Sequence, residues 1–164
     1  MADVSSRVVE VCIFKLVTNE PRYLLLHRSE NDLLYPGIWQ IVTGMLEGNE
    51  HAVTAALREV HEETGLKPQR FWVVPYVDQF YSAANNTMNL SPIFALQVNG
   101  ADEPRLSTEH QASEWLPYEQ AESRLVWPGQ KLGLKLLHEY VVGGLMGGKL
   151  AELKDLAQYE RNKT

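Results

Sequence analysis

The chain has 164 residues, of which 45% are hydrophobic and 22% charged, enough for one domain with its own core. Its net charge of -6 argues against a large basic surface for nucleic acids, although metal ions allow an acidic protein to bind phosphates. The single cysteine, Cys12, excludes an internal disulfide, and no apolar run is long enough to span a membrane. Because the first residues lack a secretion signal, we expect a cytoplasmic protein that binds neither nucleic acid nor membrane. The oligomeric state stays open.

The first half of the chain has the pattern of strands followed by a helix. Two β-branched or aliphatic runs, Val8–Val17 and Arg22–His27, predict neighbouring strands because a turn cluster separates them. The polar segment Ser29–Gly37 indicates a loop, and a short strand is predicted over Ile38–Thr43. The hydrophobic period then changes to that of a helix over Asn49–Thr64.

The second half repeats this alternation. Three further strands are predicted over Phe71–Tyr81, Ser91–Val98 and Ala112–Leu116. An Asn-rich loop is expected over Ser82–Asn89, and helices over Tyr118–Leu125 and Gln130–Val142. Strands on both sides of a central helix predict an α/β domain. We place this domain at residues 1–146, followed by a helical or flexible C-terminal tail over 147–164.

The most informative segment is Gly44–Leu66, which reads GMLEGNEHAVTAALREVHEETGL. In order it contains Gly44, five residues, Glu50, seven residues, Arg58-Glu59-Val60, one residue, Glu62-Glu63, one residue, and Gly65-Leu66. Seven specified residues and two aliphatic positions give a chance match of roughly 10⁻⁹ per start site. A lone pair of glutamates usually marks a solvated helix face, but the full spacing argues against that interpretation.

The spacing of the acidic residues points to a metal site. On a helix that advances about 100° per residue, Glu59, Glu62 and Glu63 fall within an arc of about 100°. Clustered carboxylates repel one another unless a cation lies between them, and Mg²⁺ favours such oxygen ligands. Arg58 precedes Glu62 by four residues, so we predict an ion pair that positions the carboxylates.

The remaining positions of the segment have structural explanations. The opposite helix face is predicted to be buried and comprises Val53, Leu57, Val60 and Thr64. The small residues Ala52, Ala55 and Ala56 lie among the carboxylates and are expected to leave room for a ligand. Gly65 suits the left-handed conformation that ends a helix.

The two residues at the N-terminal side of the segment have open roles. Gly44 allows close approach of the backbone to a metal or phosphate, and its carbonyl is a candidate ligand. Glu50 lies just before the helix, where a capping role and a metal-binding role remain equally open.

The segment resembles the Nudix box, and every fixed position of that pattern is filled. The resemblance implies a Nudix-type α/β/α sandwich with a mixed sheet between helices, and a domain over residues 1–146. It implies that metal-activated water attacks a phosphoanhydride bond in a nucleoside diphosphate linked to another group. It also implies that Glu59 and Glu63, with Glu62 close by, bind Mg²⁺ or Mn²⁺.

A looser resemblance extends over about residues 7–142. It is closest to (deoxy)nucleoside or dihydroneopterin triphosphate pyrophosphohydrolases. The residues that carry it are Trp39–Gly44, Ser107–His110, Glu114–Leu116, and Trp127 with Gln130. Thr43 stands where the family more often has glycine. The resemblance implies a small-molecule triphosphate that is cut to a monophosphate and pyrophosphate.

Further candidate site residues lie outside the box. We predict Arg58, Glu62 and Glu109 as catalytic residues, with Glu109 a metal ligand or general base unless it is a surface charge. Arg28 is a candidate phosphate ligand or an ordinary surface arginine, and His110 a candidate substrate contact or merely a polar loop residue. The predicted substrate-binding residues are Arg28, Trp39, Thr43, Tyr81 and Trp127. These aromatic residues, like Phe80, are candidates for ring stacking, although large aromatic residues more often belong to a core.

Three alternative functions fit the sequence less well. Relatives that hydrolyse ADP-ribose or another nucleotide sugar favour a proline some way past the box, and Phe80–Ala83 at that place contains none. Relatives that hydrolyse dinucleoside polyphosphates have a tyrosine slightly farther along, and Tyr81 falls short of that position. Prenyl diphosphate isomerisation needs a cysteine near the substrate, whereas Cys12 lies inside a predicted strand. A non-catalytic nucleotide-binding module usually lacks some box carboxylates, and this sequence retains them all.

Overall fold

The computed structural model describes residues 1–160. Within them, eight strands form one mixed sheet. The strands are β1 (Asp3–Ser5), β2 (Val8–Val17), β3 (Glu20–Arg28), β4 (Trp39–Gln40), β5 (Val42–Met45), β6 (Arg70–Ser82), β7 (Thr87–Gln97) and β8 (His110–Leu116). The helices are α1 (Ala52–Thr64), α2 (Tyr118–Arg124), α3 (Pro128–Leu136), α4 (Met146–Leu150) and α5 (Ala157–Glu160). A π-helical turn, Leu137–Val142, continues α3.

Strand β2 lies at the centre of the sheet. It pairs in parallel with β7 on one side, and antiparallel with β3 and β5 on the other. The sheet continues from β7 to β6 and from β3 to β8, both antiparallel. Strand β5 pairs with β2 alone, so its other edge has no strand beside it in the part of the chain that the structure describes.

The residues of β2 show how the sheet separates two cores. Alternate side chains of a strand point to opposite faces, so Val9, Val11 and Ile13 pack on the α1 side. Cys12 and Phe14 point to the other face, where they join the core that includes α3 residues. Burial on both faces explains why β2 is mostly apolar, with Glu10 and Lys15 as its buried charged exceptions. The layered α/β arrangement with a mixed sheet between helices is confirmed.

Several predicted boundaries were wrong. The Asn-rich loop is shorter than predicted, since β6 and β7 extend to Ser82 and Thr87 and leave a four-residue turn that Asn86 closes with φ of 51°. Strand β1 was missed. Helix α1 begins at Ala52, because the side chain of His51 caps it by accepting a hydrogen bond from the Val53 amide at 3.2 Å.

The segment after α3 is in contact with the domain. Leu153, Leu156 and Tyr159 pack against the α1-side core. Thr54 Oγ1 donates a hydrogen bond to the Tyr159 carbonyl at 2.8 Å, which ties this segment to α1. Residues 161–164 of the predicted tail lie outside the described residues.

No helix within residues 1–160 combines the length and the apolar character needed to cross a membrane.

Candidate active site

Arg58 connects the acidic residues of the box. Its Nη1 donates hydrogen bonds to Glu59 Oε1 at 2.9 Å and Glu62 Oε2 at 3.0 Å. Its Nη2 donates to Glu50 Oε2 at 3.0 Å and to the Met45 carbonyl at 2.8 Å. The predicted Arg58–Glu62 pair is therefore confirmed, and it is one of several contacts that hold α1 beside β5. Hydrogen bonding to Glu50 is the largest cause of the raised pKa of Arg58.

Glu50 is not the residue that caps α1. It lies against Arg58 and accepts a hydrogen bond from the backbone amide of Glu47 at 3.2 Å, while His51 provides the cap. The capping interpretation was wrong because the helix begins one residue after His51, two positions beyond Glu50. The glycine at the other end behaves as predicted, since Gly65 has φ of 66° and donates its N–H to the His61 carbonyl.

Gly44 gives Glu59 access to β5. A Cβ atom at Gly44 would overlap the carboxyl group of Glu59, whose Oε1 accepts a hydrogen bond from the Met45 amide at 3.2 Å. The space beside Gly44, which has no side chain, is thus occupied by the Glu59 carboxyl group and is not reserved for a ligand alone. Burial raises the pKa of Glu59, while the Arg58 charge and hydrogen bond lower it.

Glu63 is the most buried carboxylate of the box. The residue is 3% exposed, and its Oε2 atom has no hydrogen-bond partner. Burial, followed by the negative charges of Glu109 and Glu59, raises the pKa of Glu63 to about 9, while Arg28 lowers it. The fold therefore holds a buried carboxylate whose negative charge the nearby Arg28 offsets only in part, and a bound cation or a proton would offset the rest.

His110 contacts this carboxylate from the first position of β8. Its Nδ1 lies 3.9 Å from Glu63 Oε2, and its Nε2 lies 3.3 Å from the side-chain nitrogen of Gln40. The residue is only 5% exposed, so the interpretation as a polar loop residue was wrong. Burial, with the nearby Arg28 charge, lowers the pKa of His110 to about 4, so its ring is neutral at pH 7.

Arg28 and Glu109 lie beside the same carboxylate although they are far apart in sequence. The Ser29 amide donates to the Glu109 carbonyl at 3.0 Å, which joins the end of β3 to the turn before β8. Arg28 Nη2 pairs with Asp32, while its Nε is buried without a hydrogen-bond partner. The Glu109 side chain is exposed and its charge acts on Glu63.

The expected space among the helix alanines is absent. Ala55 and Ala56 are 0% exposed and belong to the α1-side core. Glu63 is also buried, so the buried part of the α1 surface is wider than a single apolar stripe. The sheet and the loop before β8 enclose the helix, because Ser107 and Arg105 bond to the carbonyls at its last turn.

The donor set suits a hard divalent cation. Within residues 1–160, no three His, Cys, Asp or Glu side chains already form a metal-binding group, since Glu59 and Glu62 are turned towards Arg58. The unpartnered Glu63 Oε2 and the mutual repulsion of the acidic residues nevertheless fit a cation with oxygen ligands. The residues present are therefore compatible with Mg²⁺ or Mn²⁺.

The aromatic residues predicted to stack on the substrate do not lie together in the structure. The Trp39 ring stacks on His27 at 4.6 Å and also lies under Arg124, so it contacts other side chains of the protein. Tyr81 lies near the tip of the β6–β7 hairpin and is 54% exposed; its hydroxyl donates to Asn86.

Trp127 and Thr43 have other surroundings. Trp127 immediately precedes α3, is 36% exposed and packs edge-on against Tyr35 at 4.9 Å. Thr43 precedes Gly44 in β5, and its Oγ1 accepts a hydrogen bond from Gln130 at 3.3 Å. Of these two, only Thr43 adjoins a residue of the box.

Sequence reasoning missed two acidic residues on the opposite face of the sheet. Glu10 is 3% exposed in the middle of β2, and its neighbours include Asp78 of β6 and Gln130 of α3. A carboxylate within the apolar run Val8–Phe14 was the available signal.

Comparisons with known proteins agree with this geometry. A family model described as the NUDIX domain matches residues 6–137. The chain is 30% identical over 112 residues to a MutT-like protein of Streptomyces ambofaciens, covering 67% of this chain and 64% of the relative. It is 35% identical over 136 residues to an octanoyltransferase of Myxococcus xanthus, covering 79% of this chain and 36% of the relative. The chain thus spans roughly a third to two thirds of these relatives.

Solved structures show the same fold. The E. coli dihydroneopterin triphosphate pyrophosphohydrolase is 25% identical with a TM-score of 0.66, and the match covers 86% of this chain and 99% of that one. A C. elegans Ap4A hydrolase complex has a TM-score of 0.70 at 20% identity, covering 85% and 99%, respectively. The box, the sheet that positions it and the family match lead to one conclusion: the chain belongs to the Nudix family.

Proposed function

We propose that this protein is a hydrolase that uses Mg²⁺ or Mn²⁺ to cleave a (deoxy)nucleoside or pterin triphosphate to a monophosphate and pyrophosphate. The observation that carries the proposal is Glu63, a buried carboxylate whose Oε2 atom has no partner and which lies among further acidic residues. Glu59, Glu62 and the Gly44 carbonyl are the further proposed ligands. When bound, the cation neutralises phosphate oxygens and activates water for attack at phosphorus.

Residues of the chain have separate proposed roles around this carboxylate. Arg58 keeps Glu59 and Glu62 next to β5 through its hydrogen bonds to both. Arg28 supplies positive charge for a phosphate beside Glu63, a carboxylate whose pKa the Arg28 charge lowers. Glu109 is the general base, because its exposed carboxylate is free to take a proton from the attacking water.

The choice of substrate class is supported by similarity and by the pattern of residues. The E. coli pterin enzyme and the MutT-like relative are among the proteins that this chain resembles. The structure of the C. elegans Ap4A hydrolase complex is 20% identical to this chain and supports the fold alone. Isomerase chemistry is disfavoured, since the Cys12 thiol is buried on the face opposite α1 and burial raises its pKa.

A panel of substrates with Mg²⁺ tests this proposal. The panel contains nucleoside triphosphates, dihydroneopterin triphosphate, ADP-ribose, a dinucleoside polyphosphate and a nucleotide sugar. Reaction in ¹⁸O-labelled water, followed by mass spectrometry, locates the bond that breaks. We expect pyrophosphate release from triphosphates and the highest kcat/KM for them. Orthophosphate as the only product, or a clear preference for ADP-ribose, the dinucleoside polyphosphate or the nucleotide sugar, would contradict the assignment.

A further inference from the structure

The outer half of the β6–β7 hairpin carries an apolar surface on the α1 side of the sheet. Strand β6 pairs with β7 from Val77 to Ser82, and β1 pairs with β7 over Thr87–Asn89. Leu90 lies four residues before Phe94, a member of the α1-side core, so both side chains point to the same face. The strand register places six residues on this face, which we call the hairpin face: Val4, Val77, Gln79, Tyr81, Met88 and Leu90.

The apolar residues of the hairpin face are well exposed. Val4, Val77 and Tyr81 are 72%, 48% and 54% exposed, and Met88 and Leu90 are each 36% exposed. Together they expose about 400–500 Å² of surface, at roughly 200 Å² for a fully exposed large side chain. A contiguous apolar patch of this size on a soluble protein usually marks a binding surface.

Hydrogen bonds fix the shape of the hairpin face. The Tyr81 hydroxyl donates to Asn86 Oδ1 at 3.0 Å, within the turn that joins β6 to β7. Asn86 Nδ2 donates to the Met1 carbonyl at 3.1 Å, and the Asp3 amide donates to the Asn86 carbonyl at 3.1 Å. Strand β1 is therefore held beside the hairpin, and such a preformed surface loses little conformational freedom on binding.

The hairpin face has no cover within residues 1–160. The later segment of the chain reaches only the first part of β6, where the Val73 amide donates to the Ala151 carbonyl at 3.0 Å. The Leu153 amide bonds to the Phe71 carbonyl in the same place, at 2.8 Å. From Val77 onward, β7 is the only strand beside β6 in the described part of the chain. The outer hairpin is thus open to a second molecule.

A second copy of this chain is the partner that fits the hairpin face. None of its six residues is charged, so it offers nothing to an anionic lipid surface or to a strongly charged protein. Since the chain has a net charge of -6, two copies approach each other with least repulsion through an uncharged surface. The exposed apolar area is also about the share that each side of a standard interface needs, about 60% of roughly 800 Å².

The order of residues along β6 suits a two-fold axis. Val77 and Tyr81 lie two residues to either side of Gln79 and point to the same face. An axis that passes between Gln79 and its own copy therefore places Val77 opposite Tyr81 of the second copy. The amide of Gln79 both donates and accepts, so it complements itself. Leu90 is the partner of Gln79 in β7 and lies beside the same axis.

We propose that this protein forms a homodimer in which the hairpin faces of two copies pack against each other about a two-fold axis at Gln79 and Leu90. The two sheets then lie about 10 Å apart, and the apolar side chains of each face cover those of the other. Because the same surface is used by both copies, the assembly closes at two chains. The proposal concerns a surface outside the box and does not depend on the proposed hydrolysis.

Sedimentation velocity measures this association. At concentrations above about 10 µM, the wild type should sediment with twice the 18.6 kDa mass of one chain. Leu90→Asp places two like charges at the axis and should raise the Kd of the dimer by about 100-fold or more. Val77→Asp should raise it by about tenfold or more. Val126→Asp is the matched control, since Val126 is 49% exposed but lies between α2 and α3; it should change Kd by less than about threefold.

Charged substitutions of Gln79 locate the axis. Gln79→Glu and Gln79→Lys should each raise Kd by about tenfold or more, because each residue then faces a like charge. An equimolar mixture of the two variants should recover the dimer, because opposite charges meet. Gln79 is exposed, so both variants should fold, and they decide the question if Leu90→Asp does not fold.

A wild type that is monomeric at about 100 µM would overturn the proposal. If that monomer co-sediments with phosphatidylcholine vesicles, the hairpin face contacts lipid instead of a second copy. A dimer that Leu90→Asp and the Gln79 variants leave unchanged would mean that another surface forms it, and the assignment would be wrong. A mixture of Gln79→Glu and Gln79→Lys that stays monomeric would contradict the two-fold axis at Gln79.

Discussion

Among single residues, Glu109 has the role that is easiest to separate from structural effects. Its side chain is exposed, yet its charge raises the pKa of the buried Glu63. Glu109→Gln keeps the size of the side chain but removes its negative charge and its ability to accept a proton. We predict that it lowers kcat by about 100-fold or more, with KM changed by less than about threefold, because a general base acts in the transition state.

Glu119→Gln, an exposed carboxylate on α2, is the control for this experiment. Both variants should keep the free energy of unfolding within about 0.5 kcal/mol of the wild type, as surface substitutions do. If Glu109→Gln retains kcat within about threefold, Glu109 is a peripheral surface charge.

The sequence predicted single residues well where one helix carries the pattern. The spacing placed Arg58 beside Glu62, and the structure has that pair at 3.0 Å. Neither the burial of His110 nor the proximity of Glu10 to Asp78 follows from local spacing. These contacts depend on the register of strands that are distant along the chain.

At the scale of elements, the contact between β5 and α1 holds Glu59 in the site. A methyl group at Gly44 would overlap the Glu59 carboxyl group, which accepts a hydrogen bond from Met45. We predict that Gly44→Ala lowers the free energy of unfolding by about 1–3 kcal/mol through overpacking. It should also reduce kcat because Glu59 is displaced. Chemical denaturation and steady-state kinetics measure the two effects.

A double-mutant cycle identifies the cause of that loss. In a Glu59→Ala background the overlap is absent, so Gly44→Ala should cost less than about 0.5 kcal/mol. An undiminished cost in this background would mean that the glycine is needed for its backbone rather than for Glu59.

The elements themselves were predicted unevenly for physical reasons. The core of α1 and the central strands have strong periodicity, and their existence was predicted correctly. The ends of β6 and β7 were missed because Asn and Ser favour turns locally, whereas pairing across the hairpin extends the strands. The π-helical turn after α3 has no local signal that we can identify.

At the scale of the whole molecule, buried carboxylates make stability depend on pH. The pKa values of Glu63 and Glu10 are raised from 4.5 to about 9 and about 8. Since the folded state then binds more protons than the unfolded state, the stability is complete at low pH and is lost as pH rises through these values. The pKa of His110 is lowered from 6.5 to about 4, so this residue has the opposite effect on stability, and only below pH 6.5.

The metal-free protein should therefore lose stability between about pH 6.5 and pH 9. Saturating Mg²⁺ should reduce this loss by binding the ionised carboxylates, and Glu10→Met should remove part of it. Urea denaturation across this pH range, in chelator and in Mg²⁺, measures the effect. A stability that is flat or rises with pH in chelator would contradict the assigned burial of these groups.

The central claim is that the carboxylates of the box hold the cation needed for hydrolysis, and Glu63→Gln tests it most directly. Two quantities are measured: kcat for dGTP with Mg²⁺, and the affinity for Mn²⁺ by electron paramagnetic resonance. Glu20→Gln is the control. We predict a kcat lowered by about 100-fold or more and a Mn²⁺ affinity lowered by about tenfold or more, with an unchanged circular dichroism spectrum. Wild-type kcat in Glu63→Gln, or full activity of the wild type in excess chelator, would contradict the claim.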